Sequence, residues 1–123
     1  MAQYQDLTFD QGSDIVLELR LLNQDRSKKN LNGYTVSAKM APSYNSTDSD
    51  KISFSTAIES PDSDGIITLS LTNLQTDTLS TKRRYVYDVE ISYVSESDGA
   101  GNLTYVIERV LEGQVQVTPS VTK

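Results

Sequence analysis

Two alternating runs on either side of a short polar corner constrain this chain more than any other feature. Between Ile67 and Leu71, the residues Ile67, Leu69 and Leu71 share one side while Thr68 and Ser70 take the other. Between Arg84 and Tyr93, the residues Tyr85, Tyr87, Val89, Ile91 and Tyr93 alternate with Arg84, Val86, Asp88, Glu90 and Ser92. Successive side chains of a strand point to opposite faces, so this period of two predicts a pair of half-buried strands. The segment Leu74 to Leu79 between them is too short for a lasting helix. A single turn there would drop Leu74 and Leu79 into the core as the chain crosses between sheets.

The rest of the chain adds strands to that pair. Tyr4 to Phe9 is a short first strand, and Ile15, Leu17, Leu19 and Leu21 alternate with Glu18 and Arg20 as a second. A polar loop from Asn23 to Asn32 ends at Gly33, after which Tyr34, Val36, Ala38 and Met40 restore the alternation up to Pro42, which cannot donate to a ladder. Ser43 to Asp50 reads as a loop, and Ile52, Phe54, Thr56 and Ile58 as a strand. Ser60 to Gly65 turns the chain into the Ile67 strand, with Gly65 free to take a positive φ. Ser95 to Asn102 is the last connection; Leu103, Tyr105, Ile107 and Leu111 then form a final strand, continued by Val115 and Val117 past a bulge or bend at Gly113. Arg109 breaks its inward parity, either because it meets a carboxylate such as Asp88 or because a bulge flips the register. Thr118 to Lys123 reads as a tail. The reading is all-β: one domain over residues 1–123, an immunoglobulin-like antiparallel β-sandwich of about seven strands, whose seven Tyr against two Phe and no Trp point to amphipathic edges more than to a greasy interior.

Composition removes whole classes of function. With 123 residues the chain can build one core, burying roughly two-thirds of its unfolded surface. The absence of cysteine and histidine excludes disulfides, thiolate zinc sites and imidazole bases. A formal charge of −6 opposes nonspecific binding to nucleic acid or anionic lipid. No apolar run approaches the ~20 residues of a membrane span, and the first residues lack the basic start and apolar stretch of an export signal. No nucleic-acid partner, no membrane partner and no cofactor are expected.

The remaining constellations read as structure. Asp62-Ser63-Asp64-Gly65 is like a fragment of a calcium loop, but TLSLT follows where further oxygen ligands and a bidentate Glu are needed, so it reads as a turn. A composite site with Asp48 and Asp50 is the alternative. Lys28-Lys29 and Lys82-Arg83-Arg84 sit at strand boundaries without the glycines or helix start of a phosphate site. Glu108 and Glu112, exposed on one strand, lack the unequal environments that separate an acid from a base. No catalytic residue and no metal ligand is assigned.

Two resemblances extend this. LSLTNLQTDTLSTKRRYVYDV resembles the E–F region of immunoglobulin domains, with Tyr85 or Tyr87 where their corner tyrosine stands. From Phe9 to Thr122 the chain resembles the small Ig-like structural domains of tailed bacteriophages, including the N-terminal domain of baseplate upper proteins. That resemblance runs through Phe9-Asp10-Gln11-Gly12, Leu31-Asn32-Gly33-Tyr34-Thr35, the Gly65 to Leu71 strand, Arg84 to Glu90, and Arg109 to Pro119. It implies a non-enzymatic virion subunit at a baseplate, neck, fibre attachment or capsid surface, made in the host cytoplasm, homo-oligomeric or repeated in a particle, with other virion proteins as partners. The alternative is a receptor- or glycan-binding module using loops 43–50 and 95–102, with Tyr44 as an aromatic platform.

One interaction face is predicted. On the last two strands the outward parity is met by Arg84, Asp88, Glu90, Ser92, Thr104, Glu108 and Glu112, but Val86, Val106 and Val110 depart from it. On paired strands these three would form one apolar patch ringed by charge. The alternative is the ordinary preference of β-branched residues for strands, and a bulge near Arg109 would turn Val110 inward. Leu19, Leu69, Val89 and Ile91 are expected to be the most buried residues.

Overall fold

The two alternating runs become β7 (Ile66–Leu71) and β8 (Arg84–Ser97), and they lie in different sheets of the computed structural model. The structure describes residues 3–23, 25–97, 99, 101 and 103–119; most of the 98–102 turn and residues 120–123 of the expected tail lie outside it, as do the side chains of Asp48, Glu96 and Ser97. β7 pairs antiparallel with β3 (Ile15–Arg20), from Ile15 opposite Leu71 to Arg20 opposite Ile66, and with β6 (Ser55–Ile58) on its other side. β8 is the centre of the larger sheet. It pairs antiparallel with β4 (Thr35–Ala41) and with β9 (Leu103–Thr118), while β5 (Ile52–Ser53) flanks β4. β1 (Gln3–Tyr4) and β2 (Leu7–Asp10) flank β9. A three-stranded sheet β3-β7-β6 thus faces a six-stranded sheet built on β4, β8 and β9, and the chain is an all-β immunoglobulin-like sandwich.

Two of the expected strands are each broken into two segments. The run from Ile52 to Ile58 changes sheets at Phe54, whose N–H donates to the Ala38 carbonyl at 3.0 Å and whose ring meets Phe9 edge-on at 6.3 Å. The first strand is interrupted at Gln5 and Asp6, and it departs from the all-antiparallel expectation. Gln3 to Tyr4 and Leu7 to Asp10 run parallel to β9, which lets the first strand close the sheet edge beside the last.

The core lies between the sheets. Ile67, Leu69 and Leu71 of β7 meet Tyr87, Val89 and Ile91 of β8 with Phe9, Met40, Val115 and Val117 around them. Leu69, Val89 and Ile91 are fully buried as expected, but Leu19 is only half-buried because β3 is an edge strand.

The corner between the sheets is a short helix, α1 (Asn73–Asp77), started by a reciprocal cap: the Thr72 hydroxyl accepts from the Gln75 N–H at 3.3 Å, and the Thr72 N–H donates to the Gln75 side chain at 2.9 Å. Leu79 enters the core, but Leu74 does not and stays 77 % exposed. The side chain that α1 turns inward is Thr76, fully buried, its hydroxyl donating to the Ser13 carbonyl at 2.7 Å. Of the two candidate corner tyrosines it is Tyr85 that fills the role, its hydroxyl accepting from the Ser80 N–H at 2.8 Å. Tyr87 instead donates to the Gln5 carbonyl at 2.5 Å.

Gly113 marks neither bulge nor bend. The β8–β9 register is regular across it, Tyr87 standing opposite Gly113, and a Cβ there would fall 2.0 Å from the Gln5 carbonyl oxygen. The glycine is required by the close approach of the first strand. The nearer of two irregularities in this ladder lies three residues earlier: Val89 is opposite Leu111 while Glu90 is opposite Arg109, so Val110 is an extra residue; the other falls between Val94 and Glu96.

The burial contrast can be measured by urea unfolding. Leu69→Ala should cost about 2–5 kcal/mol, whereas Leu74→Ala, on the exposed side of α1, should stay within about 0.5 kcal/mol of the parent.

Candidate interaction surfaces

The bulge at Val110 decides where the three valines go. Directly opposite residues of an antiparallel pair share a face, so Val86, paired with Gln114 and Ala41, lies on the outer face of the large sheet. Val106 stands opposite Tyr93, on the side that continues the core face, and Val110 is half-buried against the core. The predicted single patch therefore does not exist. One extra residue reverses the parity of β9 above it, and the seven steps along β8 from Val86 to Tyr93 add a separation of about 23 Å.

Val86 sits instead in a shallow groove of about 330 Å³ whose rim is charged, with Lys39, Lys51, Asp88 and Glu90 around it and Tyr44 at its edge. Tyr44 is 69 % exposed. Tyr4 lies close by: its phenol is raised above the ordinary value, first by partial desolvation, then by Asp6 and Tyr44, with Arg84 opposing. Arg84 also bonds Gln114 at 3.2 Å, so the third basic residue of Lys82-Arg83-Arg84 is tied to the sheet surface.

Above the bulge, the ends of β8 and β9 form a two-stranded arm. β4 stops pairing at Thr35 opposite Ser92, and β1 begins at Gln3 opposite Leu111, so among the described residues no strand flanks β9 between Leu103 and Val110. From Leu103 to Arg109 the arm extends about 20 Å. Here the expected pattern of polar loops and buried apolar strands is inverted: Leu103, Tyr105 and Ile107, expected in the core, share the outer parity with Val94 and are exposed, Ile107 at 63 %. Tyr93 and Val106 are exposed on the other face. At its base the arm rests on the β3–β4 connection, where the Tyr93 ring packs on Tyr34 at 5.2 Å and the Lys29 ammonium lies 5.4 Å from the centre of the Tyr34 ring. The exposure of this arm was concealed in the sequence by the period of two, which is the same for both faces.

Arg109 combines both expected explanations of its parity. It lies beside the bulge, and its guanidinium spans Asp88 and Glu112 at 3.4 Å each. Glu112 is on the outer face with Arg109, while Glu108 pairs with Ile91 on the opposite side, so the two carboxylates do not face a common substrate position. Of the acidic turns, the Asp62 carbonyl accepts the Leu31 N–H at 3.0 Å and the Asp64 carboxylate meets Lys28 at 3.5 Å, while Thr47 donates to Asp50 at 3.4 Å. Among the described residues no three Asp or Glu side chains converge as a metal site. Burial, with a smaller contribution from Asp6, pushes the Tyr87 phenol up to about 12.

No protein-family model matches the chain, and no curated protein matches it. Among solved structures it is similar to the second Ig domain of the mouse polymeric immunoglobulin receptor, at 10% identity over 94% of this chain and 97% of that one, with a TM-score of 0.42. It is also similar to AggA, the major subunit of aggregative adherence fimbriae type I of Escherichia coli, at 8% identity over 92% and 89% of the two chains, again with a TM-score of 0.42.

The Tyr87 phenol generates a pH signature. Its value is raised in the folded state, so its contribution to stability is complete below the unfolded value near 10 and is lost as pH rises through about 12. Unfolding titrations across that window should show a decline in stability that is shallower in Tyr87→Phe. In a separate measurement, calcium and EDTA should each leave the melting temperature unchanged, because the turn carboxylates bond within their own turns or to Lys28.

Proposed function

We propose that this chain is a non-enzymatic structural or adaptor subunit of a tailed-bacteriophage virion, acting through protein–protein contacts at a baseplate, neck, fibre attachment or capsid surface. The observation that carries the reading is the β8–β9 arm: a narrow hairpin projecting beyond the sandwich with Val94, Leu103, Tyr105 and Ile107 exposed on one face and Tyr93 and Val106 on the other. Apolar residues held out on a projecting element have a use in contacts with other proteins, and a two-stranded hairpin with unflanked edges is marginal without them. The sequence resemblance to Ig-like phage structural domains supports the same reading, and the charged remainder of the large sheet offers no arrangement suited to catalysis. A subunit of this kind is made in the host cytoplasm and ends in the particle.

The experiment is assembly. In phage particles produced with this chain, electron cryomicroscopy should resolve the domain as an ordered repeat. Tyr105→Asp with Ile107→Asp should leave the free domain folded and deplete it from purified particles at least tenfold. Particles that lack the wild-type chain while it accumulates in the lysate would overturn the reading.

A second reading, a glycan- or receptor-binding module, is favoured by Tyr44. Its exposed ring borders the 330 Å³ groove, where an aromatic face can stack on a sugar. Saturable binding on a glycan array, abolished by Tyr44→Ala, would establish this reading.

A further inference from the structure

We propose that the free edge of β9 pairs with the same edge of a second copy of this chain, antiparallel, with Val106 on the two-fold axis. The inference rests on the structural-subunit reading and names the partner at one of its surfaces.

A two-fold axis perpendicular to the sheet carries each face of one arm into the same face of the other, so only residues of like parity can stand opposite each other. With Val106 on the axis, Tyr105 meets Ile107 twice, Thr104 meets Glu108 and Leu103 meets Arg109. At the centre apolar residues are then set against apolar ones, Leu103 at each end lies along Arg109, and the Glu108 carboxylate is opposite a hydroxyl. Registers centred further toward Arg109 are poorer: an axis at Glu108 opposes two carboxylates, and one at Ile107 sets Val106 against Glu108 and Tyr105 against Arg109; an axis at Tyr105 keeps Leu103 against Ile107 but sets Val106 against Thr104 and removes Glu108 from its hydroxyl partner. Charge also favours this approach. The chain carries −6 overall, but Leu103 to Arg109 contains one Glu and one Arg, so two copies meet through a neutral stretch. The product is a four-stranded sheet in which Tyr105 (56 % exposed) and Ile107 (63 %) of both copies form one outer strip, with Val106 (40 %) of both copies on the other face. The backbone groups along both β9 edges are then satisfied by main-chain pairing.

The absence of cysteine makes the register directly testable. Directly opposite residues of an antiparallel pair have Cα atoms about 4.5–5.5 Å apart, within disulfide range. Mild oxidation should therefore convert the Val106→Cys chain to a covalent dimer. Leu103→Cys, equally exposed, should give at least tenfold less, because its twin would lie about 20 Å along the strands. By sedimentation velocity the wild-type chain should shift from monomer to dimer mass with concentration, and Ile107→Lys should stay monomeric with an unchanged circular dichroism spectrum. A wild-type chain monomeric at every concentration, or equal cross-linking at positions 103 and 106, would overturn the pairing. A chain ordered in particles but not cross-linked overturns the pairing and leaves the subunit reading intact; the expected cross-link in a chain absent from particles does the reverse.

Discussion

One extra residue in the longest ladder of the molecule governs everything on either side of it. Below Val110, β8 and β9 run in a register that turns Tyr85, Tyr87 and Val89 together with Leu111, Val115 and Val117 into the core. Above it the same two strands continue with β9 rotated by one position, so that the large side chains of Tyr105 and Ile107 face outward. A bulge bends and twists its strand as well as shifting parity. The ladder is therefore a wall of the core at one end and a projecting arm at the other. Arg109 fixes the junction by bridging Asp88 and Glu112 on the outer face. At half-exposure these pairs contribute little to overall stability, and their role is to hold local geometry.

The parallel return of the first strand depends on a second local condition. The Gln5 carbonyl lies where a Cβ of residue 113 would stand, and the same carbonyl accepts the Tyr87 hydroxyl. Glycine at 113 and tyrosine at 87, directly paired across β8 and β9, thus form one device: the first provides space, the second a donor. With Tyr85 bound to Ser80 at the opposite corner, two adjacent inward tyrosines of β8 each tie a chain crossing to the same strand. The tyrosine-rich composition reflects this use, since a phenol can fill core volume and still bond a backbone group at the core's edge.

Much of this was legible from alternation alone. β3, β4, β7 and β8 stand where their period of two places them, and Leu69, Val89 and Ile91 are buried as the middles of the cleanest runs must be. Alternation says that two faces differ but not which face meets the other sheet, and that is why the outward turn of β9 above the bulge is not legible in it. Leu103, Tyr105 and Ile107 carry the core signature in sequence and lose it through a bulge that no turn residue announces. Gly113, the residue that looked like the irregularity, is there for Gln5, a contact more than a hundred positions away in sequence. Leu74 failed for a related reason: α1 presents Thr76 to the core because its hydroxyl reaches the Ser13 carbonyl, a partner invisible to local pattern. The interaction face suffered most, since it required three residues to keep one parity through the bulge.

The sheet edges show that the arm is an exception within its own fold. An unpaired strand invites pairing by other chains, and folded proteins shorten, charge or interrupt such edges. β5 is two residues long, and the first strand is broken between Tyr4 and Leu7. β3 is longer, but it carries Glu18 and Arg20 side by side, joined at 2.9 Å on its exposed face. Each of these edges is therefore protected. From Leu103 to Ile107 the β9 edge has neither charge nor proline, and its large residues are apolar and exposed. The fourth edge, β6, is only four residues long; among the described residues the longest strand is the one left open above the bulge, and the bulge is what carries it clear of the sandwich.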